Sequence, residues 1–177
     1  MSYPAAAAAP PPASRHNIDQ DLTRISEQEQ LLRFIRFDAD SAWDLGLRLR
    51  AAAAMRGAGV AIVIAMAGNT LFHGMMPGTS PINADWARRK ANVVRRFHTS
   101  SYAVGLKLQR DRATIEAKYG LSGSEFAAHG GSFPLWVTTA GCVGTITISG
   151  LPQREDHRLI VGVLIELLGI KAPQLEA

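Results

Sequence analysis

The sequence predicts a layered α+β domain in which an antiparallel sheet is covered by helices. Three observations lead there. Two pairs of short β-branched runs, Val60–Met66 with Thr70–His73 and Phe133–Thr138 with Val143–Ser149, are each joined by a tight glycine-containing turn, and hairpins require antiparallel pairing. Helical patterns fill the stretches between the hairpins. The last long segment carries a two-column stripe, Leu159, Ile160, Val163, Leu164, Leu167 and Leu168, suited to lie on a sheet. At 177 residues, 47% hydrophobic and 19% charged, the chain supplies one core and is not globally disordered.

Each element follows from its residues. Residues 1–17, with Ala5 to Ala9 followed by Pro10 to Pro12, read as a disordered Ala/Pro-rich tail, and residues 18–177 as a single domain. The tail lacks the early positive charge and Leu-rich run of a secretory signal. Ile18 to Leu32 has helical spacing, and the partial alternation of Leu31 to Phe37 predicts a short strand. Asp38 is an N-cap for a helix running through Ala51 to Ala54, closed by Gly57 and Gly59. The strand from Val60 to Met66 turns at Gly68-Asn69. Ser80-Pro81 opens a helix with Ile82, Trp86, Val93 and Phe97 near one face. Tyr102 to Arg110 and Thr114 to Tyr119 are two further helices. Pro152 starts the final helix, with Glu155 and Asp156 in the first turn, where the helix dipole favours acids.

Charge is unevenly spread. The chain carries a formal +4, and the segment Asp85 to Arg112 holds eight basic residues against two acids. The rest of the chain is net acidic. Such a segment is either a solvated face paired with neighbouring acids or an anion site, since arginine offers a bidentate fork to carboxylate or phosphate. The candidates are Arg89, Lys90 and Arg96, with His98, Ser100 and Ser101 at the end of the helix. Nucleic acid is not expected, because the few aromatics of the basic segment form no recognition motif. The other unusual stretch is His129-Gly130-Gly131-Ser132. Its glycines either bring consecutive N–H groups close to an anion or simply form a tight turn.

Most chemical motifs are missing. There is no P-loop, dinucleotide fingerprint, zinc-protease helix or nucleophile elbow. Five histidines, at 16, 73, 98, 129 and 157, show no metal-ligand spacing. The single Cys142 excludes an internal disulfide and suits a cytoplasmic location. No apolar run approaches the ~20 residues of a membrane span, so no membrane partner is expected.

Three segments carry a resemblance. They are Asn83, Trp86, Arg89-Lys90, Val93, Phe97-His98 and Ser100-Ser101-Tyr102; then His129-Gly130-Gly131-Ser132-Phe133-Pro134; then Gly144, Ile148-Ser149-Gly150-Leu151-Pro152-Gln153 and Asp156-His157. Together they resemble the haem-degrading-domain superfamily (GlcG/HbpS-like), and within it a branch of uncharacterised proteins. The resemblance implies a three-layer α/β/α fold, a five-stranded antiparallel sheet with helices on both faces. It also implies a homo-oligomer, and haem as a candidate cofactor, because some members of the superfamily bind it. His73, His98, His129 and His157 are then candidate axial ligands, and the central arginines candidate partners for propionates.

Three functions are weighed. The first is a small-ligand-binding protein, for haem or another anionic molecule, using Arg89, Lys90, Arg96, His98, Ser100, Ser101, His129, Gly130, Gly131 and Ser132. The second is an oligomeric scaffold without ligand chemistry. The third is an enzyme with an acid–base site at His129 or His157. The spatial arrangement of the three segments discriminates among them.

Overall fold

The computed structural model describes residues 15–176. The elements are α1 (Arg15–Leu31), α2 (Ala39–Met55), β1 (Ala61–Met66), β2 (Asn69–Met75), α3 (Pro81–Phe97), α4 (Ser101–Asp111), α5 (Ile115–Tyr119), β3 (Ser132–Val137), β4 (Gly141–Ser149) and α6 (Gln153–Leu168). Residues 1–14 of the expected tail lie outside the described residues, while residues 15–17 belong to α1.

Both hairpins form, and they pair through β1 and β4 into one antiparallel sheet of order β2-β1-β4-β3. The first turn sits one residue earlier than its glycine suggested. Met66 pairs with Asn69, leaving Ala67 and Gly68 as the loop, with φ of 49° and 84°. A two-residue hairpin turn with positive φ at both positions matches the sheet's twist.

The period-2 alternation of the strands gives the sheet two different faces. Ile62, Ile64, Phe133, Leu135, Ile146 and Ile148 point one way, into a core completed by Leu45 and Leu49 of α2 and by Leu159, Ile160, Val163 and Leu164 of α6. The other face is built of small and hydroxyl residues: Ala61, Ala65, Ser132, Thr145, Thr147 and Ser149 are all buried. Helix α3 lies there, bringing Ala87 and Ala91 to the contact. The third expected layer is therefore present. Helix α1 packs on α4 through Ile18, Ile25, Tyr102, Ala103 and Leu106, with Leu175 from the end of the chain in the same cluster.

The five-stranded expectation is corrected. Among the described residues the sheet has four strands. The segment expected as a fifth is reduced to one parallel bridge between Phe34 and Val137, where Phe34 N–H donates to Trp136 O and Thr138 N–H to Phe34 O, each at 2.9 Å. Helix α1 already claims Leu31, and Asp38 must cap α2 by accepting from Ser41 N–H at 2.8 Å. Too little chain is left between them for a ladder. The alternation that suggested a strand instead buries Leu32 and Phe34 and leaves Ile35 86% exposed. Even so, this segment covers part of the outer edge of β3.

Candidate functional site

The three segments do meet. Helix α3 crosses the hydroxyl face of the sheet, the double-glycine loop precedes β3, and the chain turns from β4 into α6 at Gly150-Leu151-Pro152. At the end of β4 these pieces enclose a cleft of about 270 Å³. Asn83, Trp86 and Lys90 line it from α3, His129 from the loop, and Ser149, Gly150, Leu151 and Gln153 from the β4–α6 corner. Asn83 is held by its capping role, its Oδ1 accepting from Ser80 N–H at 2.9 Å.

Lys90, one of the lining residues, belongs to a buried ion pair. Lys90, 4% exposed, places Nζ 2.7 Å from Oδ2 of Asp156, which is fully buried. The same ammonium lies 3.5 Å from Ile148 O, and Asp156 Oδ1 accepts from Leu151 N–H at 3.0 Å. Lys90 comes from the helix on one face of the sheet and Asp156 from the helix on the other, so the pair ties the two layers around the sheet's end. Burial pushes Lys90 below the usual ammonium range although Asp156 opposes this, and burial pushes Asp156 up although Lys90 opposes that. The two directions agree that a low-polarity setting narrows the gap between partners.

The glycines make this approach possible. Gly131 has φ +123°, and a Cβ there would lie 2.5 Å from Ile148 O and 2.7 Å from Lys90 Nζ. A Cβ on Gly130 would lie 1.9 Å from Gln153 O. Backbone cannot yield at such distances, so these positions require glycine for close packing. Gly130 N–H points to Gln153 Oε1 at 3.4 Å, and Gly131 O accepts from Ile148 N–H at 2.7 Å.

Trp86 forms the partition of the site. Its ring meets His129 edge-on, with centroids 5.3 Å apart, and the Arg89 guanidinium lies 4.1 Å from the Trp86 ring centroid. Beyond this partition is a second depression of about 380 Å³, with a more apolar lining that includes Leu108, Ile115, Phe126 and Ala127. His129 keeps an exposed edge, but shielding by the surrounding protein lowers its pKa, helped by the charges of Lys90 and Arg89 and opposed by Gln153.

The sequence-derived candidates separate into groups. Lys90 and His129 line the cleft, Gly130 and Gly131 back it, and Arg89 stands at its rim. Ser100, Ser101 and Ser132 lie buried behind it in hydrogen bonds: Ser100 Oγ caps α4 from Ala103 N–H at 3.2 Å, Ser101 Oγ accepts from Ser132 N–H at 3.0 Å, and Ser132 Oγ contacts Thr147 Oγ1 at 2.7 Å. Arg96 and His98 are exposed; His98 terminates α3 with φ 51°. Neither lines the cleft.

Part of the cationic segment is paired with acids. Arg89 Nε donates to Asp85 at 2.8 Å, and Arg88 pairs with Asp85 at 2.9 Å and with Glu125 at 2.6 Å. Asp156, Trp86, Asn83 and Gln153 are the site residues that sequence reasoning did not select. All four stood in the quoted segments, but Asp156 there served only the helix dipole. No signal in the linear sequence reveals that its carboxylate faces Lys90.

A cleft lodged between α3 and a glycine loop, at the end of an antiparallel sheet covered on both faces, defines an α+β protein with a compact candidate site. The chain belongs to the HbpS-like family: the model described as "Haem degrading protein HbpS-like" matches residues 37–164. A "UPF0303 protein" of Serratia proteamaculans (strain 568) is 52% identical over 157 residues, spanning 89% of this chain and 98% of that relative. The crystal structure of the Ybr137w protein superposes with a TM-score of 0.78 at 31% identity, covering 84% of this chain and 87% of that one. The PduOC:heme complex shares the fold, with a TM-score of 0.61 at 19% identity over 81% of this chain and 99% of that one.

The family description names haem, and the residues of this cleft do not fit it. At about 270 Å³ the cleft falls below the ~300–1,000 Å³ typical of small-molecule sites, so by itself it is too small to enclose a porphyrin. His129 is edge-packed on Trp86. His157 is sealed in the interior, its Nε2 2.8 Å from Gln28 Oε1 and its ring near Tyr102 and Phe133. His73 lies exposed on β2. Among the described residues no group of His, Cys, Asp and Glu could hold a metal ion, and no helix is long and apolar enough to cross a membrane.

Proposed function

We propose that this chain is a small-ligand-binding protein that holds a compact polar molecule, anionic or carbonyl-bearing, over Lys90. The observation that carries the reading is the convergence of three distant segments on a cleft lined by Lys90, whose ammonium is paired with the buried Asp156. Within this reading Lys90, His129, Asn83 and Gln153 contact the ligand, Arg89 guards the rim, and Gly130 and Gly131 hold the backbone close. Arg96 and His98 have no part in it, and Ser100, Ser101 and Ser132 support the loop from behind. His157 is too enclosed to serve as an acid or base in the cleft.

The test is a thermal-shift and tryptophan-fluorescence titration with small carboxylates, keto acids and haemin. A small acid present at 100 times its Kd stabilises the fold by about 2.7 kcal/mol, and the response shrinks in Trp86→Phe and Lys90→Met. A stoichiometric Soret shift with haemin that survives both substitutions, without response to small acids, overturns the reading.

A second feature favours self-association. Helix α2 leaves Trp43 57% exposed and Leu47, one turn on, 54% exposed, with Met55 at its end 85% exposed. An apolar stripe of this kind suits burial against another copy of the chain. It supports a homo-oligomer and keeps the scaffold reading in play, on a surface distinct from the cleft. The lone cysteine supports a cytoplasmic setting.

A further inference from the structure

We infer that Lys90 is a reactive amine that condenses with a small aldehyde or keto-acid ligand to form an imine in the cleft. This rests on the ligand-binding reading above and assigns its chemistry. The chain has four lysines, at 90, 107, 118 and 171, against fifteen arginines. Position 90 is the one buried lysine; its side chain contributes to the cleft lining and its ammonium meets a carboxylate at 2.7 Å. Arginine would supply a permanent charge for a purely structural tie, whereas lysine alone can lose its proton and become a nucleophile. Asp156 is placed to take that proton, and it is itself held by Leu151 N–H. Burial shifts both partners toward their neutral forms, which supports the transfer.

The step balances. Lys90 Nζ passes one proton to Asp156 Oδ2, and its lone pair attacks the carbonyl carbon. The C–N bond forms as the C=O π electrons move to oxygen, giving a carbinolamine. The two protons remaining on nitrogen and the former carbonyl oxygen leave as water through proton transfers, and C=N replaces C=O. Nothing is oxidised or reduced. Trp86 and Leu151 wall the cleft with apolar surface, and Asn83 and Gln153 offer amide donors to a carboxylate on the ligand.

The experiment treats the full chain at pH 7 with glyoxylate and sodium cyanoborohydride, which reduces any imine to a stable amine, and maps the adducts by mass spectrometry. Lys107, Lys118 and Lys171 are internal references. Labelling of Lys90 at least tenfold faster than each of them, slowed at least tenfold in Asp156→Asn, is the expected result. A buried lysine that serves only as a structural tie is the slowest of the four, and that ranking overturns the inference. Fluorescence titration with glyoxylate in the absence of reductant separates the two levels. Binding without Lys90 labelling defeats the imine but leaves the ligand site standing, and absence of both defeats the two together.

Discussion

Removing one member of the Lys90–Asp156 pair has a cost that follows from its surroundings. In Asp156→Asn the amide keeps an oxygen for Leu151 N–H, but Lys90 is left with only Ile148 O at 3.5 Å. In Lys90→Met the carboxylate of Asp156 remains, fully buried and without its cation. Breaking a buried pair from one side costs about 3–5 kcal/mol. For a chain of this length each kcal/mol moves Tm by roughly 2–4 °C, so each single substitution lowers Tm by about 6–20 °C. The double variant Lys90→Met/Asp156→Asn removes both charges and retains the acceptor for Leu151. It therefore recovers to within about 1–2 kcal/mol of the parent, because desolvation is relieved together with attraction. Urea unfolding followed by circular dichroism reads all four corners of the cycle. Single losses below about 1 kcal/mol, or a double variant equal to the sum of the singles, refute the tie between helix layers.

Two further outcomes are expected. His157 is held neutral by burial, with Arg154 adding to the effect, and its pKa falls from 6.5 to about 3. The unfolded chain therefore takes up this proton first, and stability declines as pH drops from about 6.5 toward 3. His157→Gln flattens that decline, and parallel curves for parent and variant assign the acid sensitivity elsewhere. Leu47→Asp on the exposed stripe of α2 lowers the mass measured by sedimentation while leaving cleft binding unchanged, and an unaltered mass removes α2 from any subunit contact.

Local pattern was enough for the elements whose residues answer to near neighbours. The β-branched run of β1, the Pro81 start of α3 and the aliphatic columns of α6 all read correctly because period and capping are set within a few residues. The segment around Phe34 misled for the opposite reason. Its alternation is real, but the demands of α1 and of the Asp38 cap, on either side, left one bridge in place of a strand. The candidate site followed the same division. Lys90 and the glycine loop were visible as oddities of composition, and they do come together. The fate of the arginines was not visible, because Glu125 reaches Arg88 across a long connection. Asp156 was hidden by a sufficient local explanation at the start of its helix, when its principal partner comes from the far side of the sheet.

The Trp86–His129 contact has a bearing on what molecules this architecture admits. The two residues in that contact line both a hollow of about 270 Å³ and another of about 380 Å³. A smaller residue at either position would enlarge the space on both sides of the contact. The space available at this end of the sheet is thus set by two side chains, while the strands and helices that hold them stay as they are.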